Sequence, residues 1–249
     1  NKLEKILDML EKFKFITKTL KGGNERYEAT KLGLRVSQLY IDPLTAFNLM
    51  KVLYKANKVG LTDLGIIHAI TSTVEMKPTL SVRSAEYDGI QDELFRYEGM
   101  LYQDESEFLD YEDFLNSFKT ALMLYSWLNE ASEEQILEDY GVRPGELINK
   151  MHNADWLLYC CEQLSVLLGM HSLIKDLAKL RDRGKYGARE DLLSLLRFKN
   201  IGRIRSRILF NAGIRNRRDV RDASIDRLAG LLGKELARNL KEQVEVRSM

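Results

Sequence analysis

Very little in this sequence points to covalent cross-links, bound metal or a membrane. Its 249 residues contain two cysteines, three prolines and three histidines. The cysteines, Cys160 and Cys161, are neighbours on an expected helix, so they cannot build a disulfide framework, and no second Cys or His cluster completes a metal site. They are expected to be buried packing residues. His68, His152 and His171 are scattered and adjoin no nucleophile, which argues against a catalytic triad. No window approaches the roughly 18 consecutive apolar residues of a membrane span, and no basic segment followed by an apolar run opens the chain, so a cytoplasmic location is expected. A phosphate-binding Gly-x-x-x-x-Gly-Lys-Ser/Thr loop is also missing. The nearest stretch, Gly230-Leu231-Leu232-Gly233-Lys234-Glu235, has the wrong spacing and ends in glutamate, so no ATP or Mg²⁺ site is expected in these residues. Asn1 falls inside an amphipathic pattern, which leads us to expect a segment of a longer protein.

What is present is a composition 45% hydrophobic and 30% charged, enough apolar mass for two or three domains. The formal net charge of +1 conceals a polarity along the chain. From Arg181 to Met249 there are 18 Lys+Arg against 9 Asp+Glu, a surplus of 9, which leaves −8 on residues 1–180. Between Glu86 and Glu146 the balance is 17 acidic to 3 basic. The middle surface should repel phosphates and the C-terminal stretch attract them, although solvated helix faces would carry the same runs.

Scarce proline suits long helices, and the periodicity agrees. Leu3, Ile6, Leu7 and Leu10 have helical spacing, Phe13–Thr17 alternates as a strand, and Lys21-Gly22-Gly23-Asn24 signals a tight turn before Tyr27. Thr30 should cap a helix running to about Tyr40. A helix followed by a hairpin is the closing part of a winged-helix domain. Its wing carries both signs (Lys18, Lys21, Glu25, Arg26), so both DNA binding and docking on a neighbouring domain fit. Asp42-Pro43 opens the next helix, another follows Thr62, and further ones are expected over Ser81–Met100, Tyr111–Asn129 and Ser132–Tyr140, the last with a capping box of Ser132 and Gln135. The fold class is therefore mainly α: a winged-helix end over 1–41, a multi-helix bundle over 42–180 and a helix-hairpin-helix domain over 181–249.

One helix, from Pro144 to Leu168, would be roughly 36 Å long. Leu147, Met151, Ala154, Leu158, Cys161, Ser165 and Leu168 form its core stripe. A second stripe of Asn149, His152, Asn153, Trp156, Tyr159 and Gln163 is polar or aromatic, and flat groups of this kind can stack on unpaired bases. Packing of Trp156 against a neighbouring helix fits equally well.

In the C-terminal stretch, Leu192–Arg197, a turn at Lys199-Asn200-Ile201-Gly202-Arg203 and Ile204–Asn211 ending at Gly213 read as a helix-hairpin-helix. A glycine at such a turn lets backbone N–H groups approach a phosphate, and Arg203, Arg205 and Arg207 add charge. Such a unit would grip phosphate without reading sequence. A weaker echo, expected as a second hairpin, spans Leu228–Leu240.

The order winged-helix end, helical bundle, basic hairpin resembles the C-terminal half of archaeal superfamily-two DNA helicases of the Ski-like group, the Hjm or Hel-type repair helicases. The likeness is carried by Ile41-Asp42-Pro43-Leu44-Thr45-Ala46, by Ala154-Asp155-Trp156-Leu157-Leu158-Tyr159, and by Ile201–Arg207 with Asn211-Ala212-Gly213-Ile214. It implies that two RecA-like motor domains holding ATP and Mg²⁺ precede this region and pull the strand 3′ to 5′. It implies further that Trp156 is a ratchet residue and that Arg203, Arg205 and Arg207 clamp the emerging strand. Where the family tends to place an arginine two turns before the tryptophan, this chain has Asn149, with Lys150 beside it. The partners implied are single-stranded or forked DNA, the helicase's own motor domains and replication-fork proteins. Similar bundles in spliceosomal and translocation proteins keep a protein-interaction scaffold open as an alternative, and a stand-alone DNA-repair adaptor is a third.

Overall fold

Cap chemistry and amphipathic spacing place the helices close to where they are expected. The computed structural model describes residues 2–21 and 24–245, and the tight-turn glycines Gly22 and Gly23 lie outside them. Helix α1 (Lys2–Lys12) leads into an antiparallel pair, β1 (Ile16–Lys21) and β2 (Asn24–Ala29), in register from Ile16 opposite Ala29 to Lys21 opposite Asn24. The Thr30 hydroxyl accepts the Gly33 N–H at 3.0 Å and opens α2 (Lys31–Leu39). Gly33 permits a close approach here, since a Cβ at that position would lie 1.9 Å from the Phe15 carbonyl oxygen. The wing's mixed charge is partly self-paired, with Lys18 2.7 Å from Glu25.

The Asp42 side chain caps α3 (Pro43–Val59), whose first turn holds the proline. Helix α4 (Asp63–Thr71) has every residue from Leu64 to Thr71 buried, because a helix apolar on all sides must be surrounded. Next come α5 (Tyr87–Tyr97), α6 (Tyr111–Leu128), α7 (Glu133–Tyr140), α8 (Pro144–Leu167) and α9 (His171–Tyr186). The Ser132–Gln135 capping box forms as expected.

The helix expected from Ser81 begins only at Tyr87, after a short 3₁₀ turn over Ser84–Glu86. Side chains of α6 explain the shortening by satisfying the preceding backbone. Thr120 Oγ1 accepts the Leu80 N–H, Asn116 Oδ1 accepts the Val82 N–H, and the buried Lys119 ammonium donates to the Ser81 carbonyl at 2.9 Å and Glu86 at 2.6 Å. Backbone groups served in this way gain nothing by joining a helix.

The chain ends with α10 (Leu193–Leu196), α11 (Arg203–Asn211), α12 (Arg217–Asp222), α13 (Ile225–Leu232) and α14 (Lys234–Glu245). The short apolar helix expected over Leu192–Arg197 is a 3₁₀ turn, Glu190–Leu192, continued by α10.

Two compact units result. One contains the described residues up to Leu122 together with His152–Ala178, and the other contains Met123–Met151 and the described residues from Lys179 onward. This grouping follows contact and cuts across the division by element type at residues 41 and 180. Helices α6, α8 and α9 each supply residues to both units. The first unit is built around Leu49, Leu53, Ile66, Ile67, Ile70 and Phe118, all 0–2% exposed. In the second, Leu195, Ile201, Leu209, Val220, Leu228 and Leu240 join α10 to α14 in one core, so both C-terminal hairpins belong to a single packed body.

Candidate nucleic-acid interface

Helix α8 buries Leu147, Ala154, Leu158, Cys161 and Ser165 of the expected core stripe, with Met151 and Leu168 half-buried. Cys160 and Cys161 are buried and form no disulfide, and burial pushes the Cys161 thiol far up. The polar-aromatic stripe divides. Asn149, His152 and Tyr159 are exposed, whereas Asn153, Trp156 and Gln163 are half-buried. Asn153 donates to the Glu75 carbonyl at 3.1 Å, Gln163 accepts from Arg35, and the Trp156 indole N–H donates to the Leu39 carbonyl at 3.1 Å. The Leu39 bond fixes the ring's orientation at the C-terminus of α2 while leaving it partly accessible. Lys150 is half-buried, and burial lowers its pKa. Asn149 and Lys150 fall in the second unit's share of α8, and His152 and Trp156 in the first's.

At the expected hairpin, helices α10 and α11 flank a turn over Arg197–Gly202. Its left-handed residue is Asn200, with φ 64°, whereas Gly202 has φ −89° and caps α11. A Cβ at Gly202 would meet nothing within 4 Å, so packing does not demand glycine there. Its bare backbone leaves the N–H groups opening α11 approachable, which is the property an anion needs.

The three arginines occupy different environments. Arg203 and Arg207 are four residues apart and share a face of α11, while Arg205 points away from both. Arg203 lies over the Trp127 ring at 4.2 Å and donates to the carbonyls of Ala131 at 3.0 Å and Gly187 at 3.2 Å. Burial lowers its pKa. Arg207 meets two carboxylates: Nε and an NH₂ group reach Glu130 at 3.0 and 2.5 Å, and its two terminal nitrogens reach Asp191 at 3.0 Å each. Burial works to raise the Glu130 carboxyl, but the bonds from Arg207 and the Arg189 N–H outweigh it and hold it below the usual range. The Trp127 N–H in turn donates to the Gly184 carbonyl at 2.8 Å. Gly187, at φ +60°, must be glycine, since a Cβ would lie 2.4 Å from the Trp127 ring. Arg205 is exposed and among the described residues donates only to the Asn200 carbonyl, at 2.8 Å.

The clasp partners Trp127, Glu130, Gly187 and Asp191 were not anticipated from sequence, because they lie 16 to 77 positions from the arginines they hold. The spacing of Arg203 and Arg207 was the available signal that Arg205 belongs to another face. Over the stretch expected as a second hairpin, α13 and α14 are joined through Gly233 at φ 89°. A one-residue joint of this kind cannot wrap a triphosphate, so the Gly230–Glu235 stretch does not fit a nucleotide. Among the described residues, no group of three or more His, Cys, Asp or Glu could hold a metal ion, and no helix is long and apolar enough to cross a membrane.

Residues 64–187 match the family model described as archaeal helicase, domain 4. The chain belongs to the archaeal helicases. It is 36% identical over 218 residues to the ATP-dependent DNA helicase Hel308 of Methanocaldococcus jannaschii, covering 88% of this chain and 17% of that protein. It is 36% identical over 227 residues to the Hel308 of Pyrococcus horikoshii, covering 90% and 30%. The match to the Caldivirga maquilingensis protein of the same name is 31% over 252 residues, covering 97% and 33%. This helicase segment thus spans between about a sixth and a third of the length of the curated relatives it matches. The matched range runs through α4 to α9, and so includes Trp156 and, of the clasp, Trp127, Glu130 and Gly187 but neither arginine.

Proposed function

We propose that this chain is the strand-guiding region of an ATP-dependent DNA helicase that moves 3′ to 5′ and serves DNA repair. ATP and Mg²⁺ would be held by motor domains, for which the several-fold longer relatives have room. The observation that carries this reading is identity of about 36% to proteins named ATP-dependent DNA helicase across nearly nine-tenths of the chain. Bases of the translocated single strand stack on Trp156, flanked along α8 by His152, Asn149 and Lys150. The open backbone at Gly202, with Arg205 beside it, grips phosphate, and Arg203 and Arg207 hold α11 in place for that contact. Forked DNA, the helicase's own motor domains and replication-fork proteins are the partners this role calls for.

Fluorescence anisotropy of a labelled oligothymidylate tests it. Trp156→Ala should weaken binding about 5- to 100-fold with an unchanged salt slope, since stacking releases no counterions. Equal affinity in a variant whose circular dichroism matches the parent would return Trp156 to the core. A second reading, a protein-interaction scaffold, draws support from Phe95 and Leu109, 85% and 95% exposed within the acidic segment. Failure of the parent to bind the oligonucleotide at low salt would favour it.

A further inference from the structure

With the guanidinium groups of Arg203 and Arg207 committed to protein partners, the hairpin's free positive charge lies elsewhere. Its turn borders a cavity of about 570 Å³ lined by Arg197, Lys199 and Asn200 of the turn, Arg217 of α12, and Asn239 and Gln243 of α14. Three cations face one carboxylate, Glu242, across it. The amides of Asn200 and Asn239 can add N–H donors, while Phe198 in the lining is itself 6% exposed and offers little ring face for stacking. Phosphate oxygens match such a donor-rich wall, and base faces do not.

Two features make the site more than a charged surface. Gln243 ties its walls together, accepting the Lys199 N–H at 2.7 Å and donating to the Lys199 carbonyl at 3.3 Å. Arg217 is anchored by donating to the carbonyls of Gln243 and Val244 at 2.7 and 2.9 Å. Arg197 and Lys199, in contrast, are exposed, and among the described residues their side chains have no hydrogen-bond or ion-pair partner. Arg217 also borders a smaller recess of about 260 Å³ with Arg218 and Arg221, which extends the basic surface along α12. Arg218 and Arg221 share one counterion, Asp222.

We infer that the cavity between the hairpin turn and α14 is a phosphodiester-binding site, with Arg197 and Lys199 as its phosphate-contacting side chains and α12 continuing the track. The inference rests on the nucleic-acid role proposed above and adds to the contact at Gly202 and Arg205 a second phosphate grip made by side chains outside α11.

The test is anisotropy of a labelled 15-mer oligothymidylate with the whole chain over a salt series. Arg197→Ala/Lys199→Ala should bind about ten-fold more weakly at low salt. Its slope of log affinity against log salt should be shallower by about 1.4, two contacts at about 0.7 each for single strands. Both side chains are exposed, so an unchanged melting temperature is expected alongside. An unchanged slope, with the parent still binding, would overturn this site and leave the broader nucleic-acid role standing. No binding by the parent would overturn both. Displacement of the oligonucleotide by millimolar inorganic phosphate at constant ionic strength would assign the cavity to a free phosphate and overturn the phosphodiester assignment.

Discussion

His68 is fully buried in α4, stacked on Phe108 and edge-on to Phe114 and Phe118. Its Nε2 meets Ser117 Oγ at 3.1 Å, and among the described residues its Nδ1 has no partner. Such a pocket disfavours the imidazolium, and burial pulls the pKa down from 6.5 to about 4. Since the folded value lies below the unfolded one, the unfolded chain binds the extra proton in between. Stability is therefore complete above pH 6.5 and is lost as pH falls toward 4. The expected loss from this residue is about 2 kcal/mol between pH 7 and pH 5. Urea unfolding at the two pH values, for the parent and for His68→Gln, measures it. An equal pH difference in both proteins would show that His68 contributes none.

At the scale of elements, α11 and α8 carry the interpretation. Helix α11 is held by its Arg203–Arg207 face to the α6–α7 turn and the end of α9, which leaves Arg205 and the hairpin turn outward. Arg207→Ala removes a doubly bidentate contact and leaves Glu130 and Asp191 facing each other unpaired. A loss of about 1–2 kcal/mol is expected, discounted because the Arg207 side chain is 27% exposed. The salt slope of oligothymidylate binding should stay at the parent value. A slope shallower by about 0.7 would instead make Arg207 a phosphate contact. Helix α8 has a less simple second face than its stripe suggests. Asn153 and Gln163 are bound to protein, and Trp156 reaches solvent only in part because the α2 terminus holds its N–H. Spacing made that face legible as distinct, but identical spacing serves stacking on a base and docking on α2.

At the scale of the whole molecule, the chain pairs an acidic central segment with a basic C-terminal stretch, and its sequence carries no Gly-x-x-x-x-Gly-Lys-Ser/Thr loop. The purified chain should show no ATP hydrolysis above background with or without single-stranded DNA. Measurable DNA-stimulated turnover in a phosphate-release assay would refute that division of labour. Much of this organisation follows from sequence alone. Caps at Thr30, Asp42 and Ser132, helical periodicity and the hairpin turn are local features, decided by neighbours within a few positions, and charge polarity is a sum over residues. What tertiary structure decided is how the polar side chains are used. The helix expected at Ser81 gave way to Asn116, Lys119 and Thr120 more than thirty positions away. Two of the three hairpin arginines were taken up by carbonyls, an indole and carboxylates supplied by α6 and by turns elsewhere in the chain, while Arg197 and Lys199 were left facing a cavity. A guanidinium's partner depends on which groups folding brings within about 3 Å, and local pattern carries no record of that distance.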